Sequence, residues 1–540
     1  MKQPENQSRK YEALFNDIDQ GRIKVPQFQR EFVWTKEQTA RLIDSIIKGY
    51  PVGTFILWKT RERLRHFRNL GNVELPEPPA GDSVQYVLDG QQRITSLYAV
   101  RKGLILTKEG KEIDYKDICI NLEMDPEQDE ETVFPSPPEG AASISVHELL
   151  DGDIAALAAK YPDNLNRISQ CQHLLTGYDF STIAIDEYPI DVACDVFTRI
   201  NTGGKELTLF EIMVAKTYDA ESEFDLSREY DELIESETDE KDLSSAGFQT
   251  IPSVTVLQCI AAQIAEEITR KDILKLSKSD VIKEWKTVKT GIFTAVDYLR
   301  THVSVRVSRM LPYNSLLVPL SFFFIRNGFQ PPSPAQDRWL KQFIFWASLS
   351  NRYTSSVETK MATDLKKIQH IVDGEAPDYS GEELKLDLED LMWTKFRVGD
   401  AFCKAILCLL AQQHPKSFLT NADITLDNSW LKSSASRNYH HFFPRAYLKK
   451  RGFTADEANA LLNITLVDDF LNKNVIRAKA PADYIATFAE KNSQLGVALH
   501  SHLIGDTVAF GIESNDYRRF LRARSEWVLQ KVDEILRGEG

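Results

Sequence analysis

The sequence predicts a multidomain α+β protein, with strand–helix units in front, a mainly helical middle and a small ββα unit behind. Three observations predict it. The chain has 540 residues, and at ~100–200 residues per domain that leaves room for about three. Hydrophobic periodicity changes along the chain, from short β-branched runs alternating with helical stripes to long helical stripes and back to a short mixed pattern. The residue types that carry chemistry gather near the two ends. The expected divisions are residues 1–220, 221–423 and 424–540.

In the first part, Thr35-Lys-Glu-Gln38 has the form of a capping box opening a helix whose Leu42, Ile43, Ile46 and Ile47 share one face. Gly49 closes that helix, and Val52–Trp58 has the β-branched and aromatic content of a buried strand. A second strand–turn–helix is predicted over Val84–Val100 and a third over Val196–Ile212, where Thr208 and Glu211 form another capping box. Between them, the proline- and acid-rich Asp125–Gly140 is predicted to be an exposed insertion. The middle part, with stretches such as FIFWASLSNRY, shows no chemical constellation and is expected to act as a scaffold. A terminal helix is predicted over Tyr517–Leu536.

Composition narrows the function classes. The six cysteines (Cys119, Cys171, Cys194, Cys259, Cys403, Cys408) include no C-x-x-C pair, which excludes a zinc ribbon and argues against a disulfide framework. The N-terminus has no apolar signal segment, and the longest apolar stretch, Leu316–Ile325, contains Pro319 and is too short to span a bilayer. A soluble, cytoplasmic protein with no membrane partner is expected. The formal net charge of −14 counts against nucleic acid only at first sight, because only the face that meets phosphates must be positive. Leu431–Ala455 holds six basic residues and no acid, and Phe470–Ala482 holds three more, again with none.

Two constellations carry chemistry. In Asp89-Gly90-Gln91-Gln92-Arg93, a strand delivers the chain to a turn at which a helix begins. Unpaired amides and the helix dipole favour an anion there. Gly90 lets the backbone approach a ligand, Gln91 and Gln92 add polar groups, and Arg93 can grip a phosphate through two hydrogen bonds. Val25–Trp34 adds Gln29 and Arg30 among aromatics, of which Phe32 and Trp34 read as core; Arg199–Thr208 adds a Gly-Gly turn with Asn201 and Lys205.

In order and spacing, VPQFQREFVW, YPVGTFILW, LDGQQRITSL and FTRINTGGKELTLFEI resemble the N-terminal domain of the GmrSD-type modification-dependent (type IV) restriction endonucleases, over roughly the first 220 residues. The resemblance implies a ParB/sulfiredoxin-like domain that binds and hydrolyses a nucleoside triphosphate, GTP or another, and helps to sense modified DNA. Its nucleotide site would comprise Asp89, Gly90, Gln91, Gln92 and Arg93, helped by Gln29 and Arg30.

In the second constellation, NYHHFFPRAYLKKRGF is followed by ALLNITLVDDFLNKNVIRAKAPADYI. His441 suits a general base, since an ordinary imidazole titrates near neutrality. Pro444 stands where the D-H-x-x-P pattern of HNH nucleases has its proline. Asn463 fits the loop-fixing residue, Asn472 (or Asn474) a metal ligand on the following helix, and Lys479 a phosphate contact. Arg445, Lys449 and Lys450 extend the expected DNA-binding surface. His440, where such nucleases have a ligand that is often Asp or Glu, would point to the opposite face unless the strand end twists. An imidazole ligand favours Mn²⁺ or Ni²⁺ over Mg²⁺. The segment resembles the HNH domain of the same restriction family. The resemblance implies an endonuclease for modified double-stranded DNA, in phage defence, gated by nucleotide and open to homo-oligomerisation. The alternatives are a nucleotide-dependent DNA-binding regulator with an inactive HNH domain, and a nuclease acting on RNA or on unmodified DNA.

Overall fold

The computed structural model describes residues 3–26, 32–61, 64, 69–70, 73–79, 81–108, 111–125, 129–200, 208–219, 222–238, 241–382, 384–424, 439–466, 476 and 478–539. The chain is mixed α+β, as expected, and divides into two compact units, Met1–Leu226 and Ser227–Gly540. The expected division at 423/424 falls inside the second unit. Gln29, Arg30, Asn201, Lys205, Asn472 and Asn474 lie outside the described residues.

The first unit is built on a five-stranded mixed sheet of β1 (Glu5–Lys10), β2 (Ile23–Lys24), β3 (Phe55–Thr60), β4 (Val84–Asp89) and β5 (Asp179–Asp186), in the order β1-β5-β3-β4-β2. The two ends of the chain segment meet, because β1 pairs antiparallel with β5 while β5 runs parallel to β3. Helices α1 (Tyr11–Asp19), α2 (Lys36–Ile47) and α3 (Gln91–Lys102) supply the core with stripes at helical spacing, such as Leu14, Phe15 and Ile18, or Leu42, Ile43, Ile46 and Ile47. The Thr35 capping box is present, with Thr35 Oγ1 accepting from Gln38 N and Gln38 Oε1 accepting from Thr35 N.

Two expectations are corrected. Val196–Ile200 is no strand but the end of a helix, α4 (Ile190–Ile200), followed at Leu209–Thr217 by α5 with its Thr208–Glu211 capping box. The β-branched content misled. Ile190, Ala193, Cys194 and Phe197 are buried at a spacing of three to four, which is the helical period. Nor is the acid-rich stretch a simple exposed insertion. Thr132 and Val133 are buried, and Val133–Phe134 joins a second, three-stranded sheet with Cys119–Asn121 and Ser143–Ser145. Buried Asp44 of α2 anchors it, accepting from Thr132 N at 2.7 Å, Thr132 Oγ1 at 2.8 Å and Val133 N at 3.3 Å.

The second unit is mainly helical. Its larger helices include Ser253–Ala265, Lys278–His302, Leu317–Arg326, Pro334–Leu349 and Val357–Val372. A two-stranded antiparallel sheet, β6 (Tyr439–His441) with β7 (Ile464–Leu466), carries the candidate nuclease residues. His440 lies opposite Thr465 and His441 opposite Ile464. The link between the strands holds two short helices, Arg445–Lys450 and Ala455–Ala458, and the unit closes with α6 (Tyr517–Leu536), at the predicted bounds. All six cysteines are buried free thiols. Among the described residues, no helix is long and apolar enough to cross a membrane.

Candidate functional site

Each unit holds one of the constellations. In the first, β4 delivers Asp89 to Gly90, which has φ +91° and starts α3 without a capping side chain. Arg93 turns inward. Its Nη1 donates to Val52 O at 2.6 Å, and its Nη2 donates to Thr54 O at 3.1 Å and to Asp89 Oδ2 at 2.9 Å. The guanidinium also lies 5.2 Å from the Phe55 ring centroid. Arg93 thus spends three hydrogen bonds inside the chain. Its terminal nitrogens bind the carbonyls that open β3, because those carbonyls precede the strand's own pairing and need donors.

Gln92 performs the matching task on the other side. Its Oε1 accepts from Val33 N at 2.8 Å and Trp34 N at 3.3 Å, and its Nε2 donates to Gln91 Oε1 at 2.9 Å. Gln91 and Gln92 are both buried. The turn thus joins three sequence motifs, with Arg93 fastening the segment at 52–54 and Gln92 the segment at 33–34. Phe32 and Trp34 pack against the core, as expected.

Two glycines make room for Arg93. Gly53, at φ +84°, would place a Cβ against Arg93 Nη1, and Gly90 would place one against the Phe55 ring, 2.9 Å from Cε1. Gly53→Ala and Gly90→Ala are each expected to destabilise this unit by about 2–4 kcal/mol, from left-handed strain plus overpacking. Urea unfolding measures this, and unchanged midpoints would refute it.

In the second unit, His441 ends β6 partly buried, with Nε2 2.9 Å from Asn459 Oδ1. Burial holds its pKa down at about 4; the Asn459 bond opposes this and nearby Arg445 adds to it. The ring is neutral at pH 7. Asn463 is fully buried: its Oδ1 accepts from Phe443 N at 2.8 Å, and its Nδ2 donates to Phe443 O and Ala458 O, both at 3.0 Å. It ties the chain just after His441 to the chain just before β7. Pro444 caps Arg445–Lys450, whose Arg445, Lys449 and Lys450 are exposed, as is Lys479. These basic residues therefore present charge to solvent, and Arg445 lies near enough to His441 to act on its charge.

His440 does not join His441. It is 2% exposed and packs edge-on to Tyr484, whose hydroxyl donates to Phe442 O. Alternation along β6 sends it to the face opposite His441. Among the described residues, no group of three His, Cys, Asp or Glu side chains comes together to hold a metal ion. These residues do not complete a metal site.

The strands are held from behind by buried groups absent from any motif. Arg524 of α6 donates to the carbonyls of Leu462, Ile464 and His502. His502, also buried, has Nε2 2.9 Å from Lys416 O, and burial pushes its pKa down to about 3. An unfolded histidine binds its proton near pH 6.5. The stability tied to neutral His502 is therefore complete above that value and drains away as pH falls from about 6.5 towards 3. Denaturant midpoints are expected to fall along that arm, and His502→Gln should flatten it; equal acid sensitivity in both proteins would refute the assignment.

Comparison with known proteins agrees with the first unit. Residues 11–218 match the family described as GmrSD restriction endonuclease, N-terminal domain. The match makes this part similar to a domain of restriction nucleases, and so suggests a nuclease of the defence type with DNA as its partner. An uncharacterized protein of Methanocaldococcus jannaschii is 22% identical, over 96% of this chain and 97% of the relative.

Sequence reasoning missed Asn459, Arg524 and the inward turn of Arg93. Arg524 had a signal: Phe520, Arg524 and Val528 fall at successive four-residue steps of one helical stripe, and all three are buried.

Proposed function

We propose that the chain is a nucleotide-regulated, metal-dependent DNA endonuclease of the HNH type that senses modified DNA, in defence against bacteriophage. The observation that carries the nuclease reading is His441 at the end of β6. It is neutral, held by one hydrogen bond, and stands beside a loop pinned by Asn463 and an exposed basic helix. The similarity of residues 11–218 to a restriction-endonuclease domain supports the same class.

In this reading Arg445, Lys449, Lys450 and Lys479 draw in the phosphate backbone without reading sequence. Asn463 fixes the loop so that His441 stays aligned, and His441 takes the proton of the attacking water. The divalent metal, Mg²⁺ or Mn²⁺ with Ni²⁺ also in range, would draw on His440 and Asn472. To do so His440 would have to leave its packing against Tyr484.

The nucleotide, GTP or another triphosphate, would bind where α3 begins. With Arg93 turned inward, the phosphate contacts there would be main-chain amides at the glycine turn, helped in this reading by Gln29 and Arg30.

The test is cleavage of matched plain and modified phage DNA by the purified chain, with Mg²⁺ or Mn²⁺, with and without GTP. Metal-supported cutting that prefers modified DNA and responds to nucleotide is the expected result. Nucleotide binding without cutting of any DNA would shift the assignment to a DNA-binding regulator.

A further inference from the structure

The histidine taken above as the base has an orientation that its motif leaves unexplained. Asn459 stands between it and Phe396. The Asn459 Nδ2 donates to Phe396 O at 3.0 Å, and the Asn459 main-chain carbonyl accepts from Phe396 N at 2.9 Å. The neighbouring main chain repeats the pattern, with Leu461 N donating to Thr394 O at 2.7 Å and Lys395 bridging Ala460. Asn459 is thus gripped through both its backbone and its side chain.

That grip decides which end of the amide faces the imidazole. A backbone carbonyl can only accept, so the nitrogen end of Asn459 must face Phe396 and the oxygen end must face His441. The 2.9 Å contact between Asn459 Oδ1 and His441 Nε2 then has one consistent assignment, with Nε2 as the donor. A neutral imidazole carries a single N–H, so the lone pair is left on Nδ1.

We propose that Asn459 is a positioning residue, which holds His441 in the Nε2–H form so that Nδ1 is the atom that receives the water's proton. The proposal rests on the nuclease reading of the second unit. In the step, an O–H bond of water breaks, the proton goes to Nδ1, and the hydroxide oxygen attacks phosphorus as the P–O bond to the leaving group breaks. Asn459 makes its contacts to His441 and Phe396. Its effect passes through the ring, by fixing the tautomer and the rotation about the Cβ–Cγ bond.

The experiment uses the full-length chain with ¹⁵N-labelled histidine, together with Asn459→Ala and Asn459→Asp. His441→Ala identifies the His441 signals among the ten histidines. Two-bond ¹H–¹⁵N correlation spectra report which ring nitrogen carries hydrogen, and plasmid cleavage with Mg²⁺ or Mn²⁺ gives kcat and KM. We expect Nε2–H in the parent protein and, in Asn459→Ala, a kcat lower by about 10–100-fold at unchanged KM. Asn459→Asp keeps an oxygen opposite Nε2; it should keep the Nε2 donor and recover part of the rate. Both variants lose the bond from Nδ2 to Phe396 O, so a merely structural role predicts equal losses, and that result would overturn the proposal. A parent ring protonated at Nδ1, or an undiminished kcat in Asn459→Ala, would overturn it as well while leaving the nuclease reading intact. A parent that cuts no DNA removes the nuclease reading, and the positioning role with it.

Discussion

His441→Ala is expected to lower DNA cleavage by about 10²–10⁴-fold, the range for losing a positioned general base. The loss should lie in kcat with KM nearly unchanged if, as proposed, the exposed basic residues and not the imidazole hold the phosphates. Folding should survive. Among the described residues the ring makes one hydrogen bond, to Asn459, and its removal is worth about 1–3 kcal/mol. Thermal melting would confirm that the variant is folded before its rate is read. A folded alanine variant that cuts like its parent would place the base elsewhere and end the present reading of the second unit.

The largest expected effect on stability comes from Arg524. Its side chain is fully buried, with Nη1 at 2.7 Å from both Leu462 O and Ile464 O, and Nη2 at 2.8 Å from His502 O. Burial pulls its pKa down to about 9, so it remains charged at neutral pH, and among the described residues its hydrogen-bond partners are main-chain carbonyls. Arg524→Met keeps the volume and removes every donor, leaving carbonyls of a buried strand end to be satisfied some other way. With about 1–3 kcal/mol for each stranded group, a net loss of about 3–5 kcal/mol is expected. Arg524→Lys should fall between, since one ammonium cannot reproduce the planar fork. Guanidinium unfolding would measure both, and a methionine variant as stable as the parent would disprove the assignment. Because β7 pairs with β6, loosening Ile464 should also blur the position of His441 and lower cleavage below what the folded fraction predicts.

Local rules were the most legible. Thr35 with Gln38, Thr208 with Glu211, and the Asp89-Gly90 turn each announce an element boundary through short-range chemistry, and the structure has them there. Direction was not legible. An arginine after a glycine turn has the same letters whether it faces a ligand or the carbonyls of Val52 and Thr54, and only the neighbouring strand decides. Ile190–Ile200 failed because β-branched residues near its end outweighed the spacing of its buried side chains. Asn459 was invisible for another reason. It lies 18 residues from His441, and its grip comes from Phe396, 63 residues away, so no local pattern could pair them.

The hydrogen bonds that Thr394 and Phe396 share with Leu461 and Asn459 also bear on how the proposed nuclease end of this chain can be inherited. A fragment beginning at residue 424 would contain the base, the pinning asparagine and the basic helix, yet it would lack the stretch that sets the imidazole's posture. Such a piece is not a cassette that could be moved whole into another protein. Recombination that swapped this end would have to carry residues from at least Thr394 onward, and lineages that exchange such ends should show their seams upstream of that point.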